Sequence, residues 1–115
     1  MGANTSVAVR NALCSTYATN TPFVALYSTA PTTTAGTELT GGAPAYARVA
    51  SSWSAPASGS MTQTVTHNVA SGATVAGVGF HSAATGGTYA DGASLTSQPF
   101  SSQGTYQTTI TYSQT

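Results

Sequence analysis

The chain has 115 residues, a length that suits one domain, and a formal net charge of zero. Only 3% of it is charged, with no lysine, where an ordinary soluble domain carries about 25%. Two arginines are too few for the basic footprint of a nucleic-acid-binding protein, no apolar run approaches the roughly 20 residues that cross a bilayer, and the single cysteine, Cys14, excludes an internal disulfide. Such a chain has almost nothing with which to repel a neighbour, so it reads as a part of an assembly.

The amino-terminus has no basic stretch followed by an apolar run, so it does not read as a signal peptide. Val9, Leu13 and Tyr17, with Ala12 beside them, predict a helix over 5–17 with one apolar stripe, capped by Asn4 or Thr5. Pro22 closes it. Phe23 to Tyr27 is apolar at every position and reads as a strand covered on both faces. Residues 28–45 contain Pro31, Gly36, Gly41, Gly42 and Pro44 and form a loop longer than most connections, which points to contacts or function. Tyr46 to Trp53 alternates and reads as a strand, ended by Pro56 and Gly59. Met61 to Val69 is the clearest strand. Met61, Gln63, Val65, His67 and Val69 share one face, and Thr62, Thr64, Thr66 and Asn68 the other. Ser71 and Gly72 turn the chain into a strand over Val75 to His81. Gly77 and Gly79 share a face of it, which predicts close approach by another backbone or a large ring. Gly86-Gly87 and Asp91-Gly92 read as turns, and Leu95 to Phe100 as a short strand. Thr105 to Ser113 is the last strand, with Tyr106, Thr108, Ile110 and Tyr112 on one face.

The sum is mainly β. Six or seven strands are spaced for an antiparallel β-sandwich of jelly-roll or immunoglobulin-like kind, with one short N-terminal helix. Residues 1–115 read as one domain, with strands from about 22 to 113. The strands lack the charges, lysine above all, that guard sheet edges. Tyr106, Ile110 and Tyr112 therefore mark a candidate assembly edge, either covered within the monomer or paired with a neighbouring subunit.

Catalytic and metal chemistry find little support. Cys14, His67, His81, Glu38 and Asp91 are scattered, without C-x-x-C or H-x-H spacing. There is no G-x-S-x-G elbow and no nucleotide-binding glycine pattern, so no catalytic residue, metal or cofactor is expected. Cys14 reads as packing material. His67 reads as a hydrogen-bonded structural histidine, and His81 as a surface or interface residue. Tyr89, Tyr106, Tyr112 and Trp53 have the rings and hydroxyls that sugar binding uses, although the same groups build strands and interfaces.

Three pieces combine into a recognisable pattern: Ala25-Leu26-Tyr27 followed by Pro31, then Gly36-Thr37-Glu38 followed by Gly41-Gly42, then Tyr46-Ala47-Arg48. A later stretch runs from Gly77 through Phe80 to Thr85-Gly86-Gly87. This resembles small virion proteins of tailed bacteriophages, of the minor tail or tail-fibre-like type, through about residue 100. The resemblance implies a non-enzymatic structural protein of the virion, in the tail more than the head, most simply a minor tail or tail-tip protein in multiple copies. Its partners would be copies of itself and other virion proteins. A capsid decoration protein and a carbohydrate-binding module for a host-surface glycan are the alternatives. No nucleic acid or membrane insertion is expected.

Glu38 and Arg48 are the only acid and base close in sequence, and they flank the glycine-rich loop. A bidentate pair there would pin the loop to the following strand, with Tyr46 packed against it. The alternative is that Glu38 meets an arginine of a neighbouring subunit.

Overall fold

The computed structural model describes residues 6–113. Helix α1 (Val7–Asn20) is followed by β1 (Phe23–Tyr27), β2 (Val49–Ala50), β3 (Ser60–Val69), β4 (Thr74–His81), β5 (Tyr89–Pro99) and β6 (Gly104–Ser113). All pairing between these strands is antiparallel. One sheet has the order β2-β1-β4-β5, and the other consists of β3 and β6. The protein is thus mainly β, with two antiparallel sheets in a sandwich-like arrangement and one short helix.

The core lies where the two sheets face each other. Val24 and Leu26 of β1, Val75, Val78 and Phe80 of β4, and Val65 and Val69 of β3 meet there, with Leu39 from the long loop. Val24, Ala25, Leu26 and Tyr27 are all fully buried, because β1 has the core on one face and loop and ring contacts on the other. In β3 every second residue from Met61 to Val69 is buried, while Thr62, Thr64 and Thr66 face outward. This period of two is what a sheet covered on one face requires. The glycines of β4 admit rings: Pro31 lies on Gly77, and a Cβ at Gly79 would meet the Tyr27 ring at 2.5 Å.

The helix differs from the sequence expectation. It runs from Val7 to Asn20, and its N-cap is Ser6, whose hydroxyl accepts from the Val9 N–H at 3.2 Å. Asn4 and Thr5 lie outside the described residues. The buried stripe is rotated from the expected one. Val9 is 47% exposed, while Cys14 is fully buried. Two contacts set that rotation. Asn11 accepts from the Gly59 N–H at 2.9 Å, and the Tyr17 ring stacks on Tyr112 at 3.8 Å.

Two further expectations are corrected. Only Val49 and Ala50 of the segment from Tyr46 to Trp53 form a strand. Beyond them the backbone changes sheets: Ser51 donates to the Pro22 carbonyl next to β1, and Ser54 donates to Thr62 of β3, both at 2.8 Å. The alternating segment is a crossover between the sheets. Asp91 and Gly92 are not a turn. They sit inside β5, opposite Phe80 and Gly79, and the expected short strand at Leu95 is the second half of the same element. Gly92 is needed for close approach, because Tyr89 and Pro31 press on the space a Cβ would take.

Candidate functional site

The long loop returns to β1 on the side where β2 stops. β2 pairs only with Phe23 and Val24. Further along, Leu39 N–H donates to the Leu26 carbonyl at 3.1 Å, and Ser28 N–H donates to the Thr37 carbonyl at 2.8 Å. Glu38 is thereby held opposite Tyr27. The Leu26 N–H on this side finds the Tyr46 hydroxyl at 3.1 Å. Buried backbone donors need such a partner, and a side chain supplies it here.

The Tyr46 hydroxyl in turn donates to Glu38 Oε2 at 2.7 Å. Arg48 completes the group. Its Nε donates to Glu38 Oε2 and its Nη2 to Oε1, each at 2.9 Å. Its Nη1 donates to the carbonyls of Ala83 and Gly86, both at 2.8 Å. One guanidinium therefore joins the 28–45 loop to the turn between β4 and β5. The planar fork of arginine suits this; the compact ammonium of lysine does not. The Arg48 side chain is 8% exposed and that of Glu38 27%, so the pair is largely screened from solvent. Burial alone would raise the Glu38 carboxyl. Hydrogen bonds from Arg48 and Tyr46 outweigh it and hold the group below the ordinary glutamate value. Burial, and then Glu38, pushes the Tyr46 hydroxyl well above its usual value.

Two histidines stand behind this group. Tyr46 stacks on His67 with ring centroids 6.0 Å apart. His67 Nε2 lies 2.8 Å from the Val24 carbonyl. A carbonyl only accepts, so Nε2 carries the proton and links β3 to β1 across the core. His81 is not a surface or interface residue; it is 6% exposed. Its Nε2 shares a short hydrogen bond with the Tyr27 hydroxyl, because the register of β1 and β4 places both rings on the same covered face. The Nδ1 atoms of both histidines are buried without a partner. Burial depresses the pKa of each, and nearby Arg48 depresses His81 further.

A cavity of about 410 Å³ opens beside Glu38 and Arg48, bounded by Leu39, Tyr46, Ala47 and Ala84. The other ring-bearing candidates do not gather there. Tyr112 and Trp53 pack on Tyr17, Tyr106 packs on Phe100, and Tyr89 packs on Tyr27 and His81. Tyr106, Ile110 and Tyr112 lie on the inner face of β6, in the sheet that does not hold the Glu38 group. Among the described residues, no three of His, Cys, Asp and Glu come together to hold a metal ion.

Sequence reasoning missed several contacts. The Tyr17 hydroxyl donates to Asp91 Oδ2 at 2.6 Å, which ties the helix to β5. Gln103 accepts from the Ala43 N–H and donates to the Pro44 carbonyl, both at 3.1 Å, which holds the tip of the long loop. These partners lie 60 or more residues apart or nearly so, and no local pattern signals them. The Gly86-Gly87 turn was visible, but not its role as an acceptor for Arg48.

A family model described as podophage GP4 fiber I protein gp80 matches residues 3–112. The chain belongs to this family of phage fibre proteins. The match spans the helix, both sheets and the Glu38–Arg48 group. Among curated proteins and among solved structures nothing matches.

Proposed function

We propose that this fibre-family chain is a non-enzymatic structural component of the phage tail, a minor tail or tail-tip protein present in several copies. The family match over residues 3–112 carries the reading. The composition supports it: with 3% charged residues the chain lacks the repulsion that keeps free monomers apart. On this reading the Glu38–Arg48–Tyr46 group is a clasp. It fixes the 28–45 loop and the β4–β5 turn as one rigid surface against which virion partners can seat. Both Glu38 oxygens are engaged by Arg48, which favours the clasp over a pair with a neighbour's arginine.

Gold labelling of the chain on purified virions, viewed by electron microscopy, tests the location. Label confined to the tail is the expected result. Label distributed over head facets would replace this reading with a capsid decoration protein.

One observation favours a second reading, a module for host-surface glycan. The cavity has a largely apolar lining with one aromatic ring, Tyr46, of the kind that small ligands use. Glu38, Tyr46 and Arg48 are already bonded to one another, which leaves the hydroxyls of Thr40 and Thr85 as the cavity's side-chain donors for a sugar. Saturable binding of a host-envelope oligosaccharide to the isolated protein would establish the module, and no binding would remove it.

A further inference from the structure

The side chains of this protein carry four charges, two arginines and two acids. Three of them have partners. Glu38 and Arg48 are paired to each other. Asp91 accepts from the Tyr17 hydroxyl at Oδ2 and from the Gly92 N–H at Oδ1. Arg10 is the exception. Among the described residues no carboxylate pairs with it, and its Nε is buried without a hydrogen-bond partner. A polar atom that is out of water and unpaired costs free energy, so such atoms are few in native proteins and each calls for an explanation.

The surroundings of Arg10 indicate what kind of group would answer it. Arg10 is on the inward face of α1, four residues before the buried Cys14 and seven before Tyr17, which packs on Tyr112. Its neighbour Asn11 is held at Gly59, in the turn before β3. Burial on this face fades toward the start of the helix: Cys14 is fully buried, Arg10 is partly covered and Val7 is 46% exposed. Val9, one turn before the half-covered Leu13, is also open to solvent. Val7 and Val9 are the exposed large hydrophobics among the described residues. Single exposed apolar residues are ordinary. Here both fall within one turn and flank the arginine that has no acid.

We infer that this end of α1 is a docking surface for a different virion protein, which lays an apolar segment over Val7 and Val9 and brings an aspartate or glutamate to Arg10. The carboxylate follows from the donor. A guanidinium presents its Nε and Nη hydrogens as a planar fork that a carboxylate meets with both oxygens, and the incoming group gives the buried Nε its acceptor. The valines select a protein segment over a phosphate-bearing polymer, whose binding needs a wider basic patch. The charges of the chain also select a different protein over a second copy. Of the two side-chain carboxylates in the sequence, Glu38 is bound by Arg48 and Tyr46, and both oxygens of Asp91 already accept a hydrogen bond. The inference rests on the virion reading above and names the chemistry of one partner.

Photo-cross-linking on assembled phage is the test. A benzophenone side chain placed at Val9, and separately at exposed Ala12 beside it, is expected to couple on irradiation to another virion protein, at a peptide containing an aspartate or glutamate. Arg10→Glu should lower the copies of the chain per virion about tenfold or more, because like charges then face each other. Changing the cross-linked acid of the partner to lysine should restore them. Thr96→Glu, the same new acid on an exposed position of β5, should leave incorporation unchanged. Circular dichroism of each purified chain checks the fold, and Arg10→Gln takes the place of Arg10→Glu if the latter does not fold. Coupling to a second copy of this chain overturns the inference. So does coupling to no protein from either position, and so do folded Arg10 variants that enter virions like wild type. Tail labelling that persists beside those results would retain the tail location and reject the docking surface. A partner on the head, joined to Arg10 through its acid, would retain the surface and reject the tail location. A chain that enters no virion removes both.

Discussion

In the four-stranded sheet, β4 is flanked by β1 and β5, and two of its glycines lie under the rings of Pro31 and Tyr27. In the two-stranded sheet, β3 and β6 run side by side for ten regular pairs, with threonines facing outward. The hydrogen-bonding pattern is the same, but the demands on sequence are not. The first sheet is finished within the chain. Its edges are shortened, bulged or charged, and its loops are tied down by single atoms such as Arg48 Nη1 and Tyr46 Oη. The second sheet alternates simply, and among the described strands it consists of β3 and β6 alone. A sheet closed by specific contacts should be intolerant of small changes, and a regular ladder should absorb them. Each test below can break or sharpen that contrast.

The largest effect is expected at Gly79. A methyl group there meets the Tyr27 ring at 2.5 Å, and β4 has a strand on each side and cannot slide away. Gly79→Ala should cost about 3 kcal/mol by overpacking, read as a fall in Tm by calorimetry. A cost under about 1 kcal/mol would mean that this sheet is not locked.

Arg48→Ala comes next. It strands a carboxylate that is mostly out of water and leaves the Ala83 and Gly86 carbonyls without their donor. The expected loss is about 2 kcal/mol, between the values for exposed and buried pairs, measured by urea unfolding. Arg48→Lys should recover less than half of it, since one ammonium cannot present the fork. Full recovery would show that charge, not geometry, makes the clasp.

Acid should weaken the protein in a defined direction. In the unfolded chain both histidines titrate near about 6.5; in the folded chain burial holds both lower. As pH falls the unfolded state takes up protons first. The histidine contribution is therefore fully present above about pH 6.5 and is lost as pH drops through the folded values. Glu38, also depressed in the folded state, adds a second loss below the ordinary glutamate range. A series of Tm values from neutral pH to about pH 5 should fall, and His67→Gln should flatten the curve. A flat wild-type profile would mean that the buried rings accept protons without strain.

The smallest effect belongs to the ladder. Replacing Thr64 and Thr109 with valine removes one exposed hydroxyl pair and should change stability by no more than about 0.5 kcal/mol. A loss above about 1 kcal/mol would move the threonine rows from tolerant surface to structural element.

The regular parts of the fold were legible and the irregular ones were not. β1 and β3 could be read because their burial follows chain order, with Val24 to Tyr27 all buried in one and every second residue in the other. The glycines of β4 announced a close ring, though not which ring. The alternation from Tyr46 to Trp53 misled, because an extended segment looks alike whether it stays in a sheet or crosses between two. Asp91-Gly92 misled because a glycine required for a turn and one required for close approach leave the same letters. In the site, Glu38 and Arg48 could be matched because the chain offers so few charges. The Ala83 and Gly86 carbonyls could not, since backbone acceptors have no sequence signature.

Local periodicity and composition thus sufficed for the class of fold and for the positions of β1, β3, β4 and β6, because each of these sums over many residues. Which face of the helix is buried and why His81 is covered were decided only in three dimensions. Each of those depends on what lies beside a residue, and the neighbours come from segments far away in the chain.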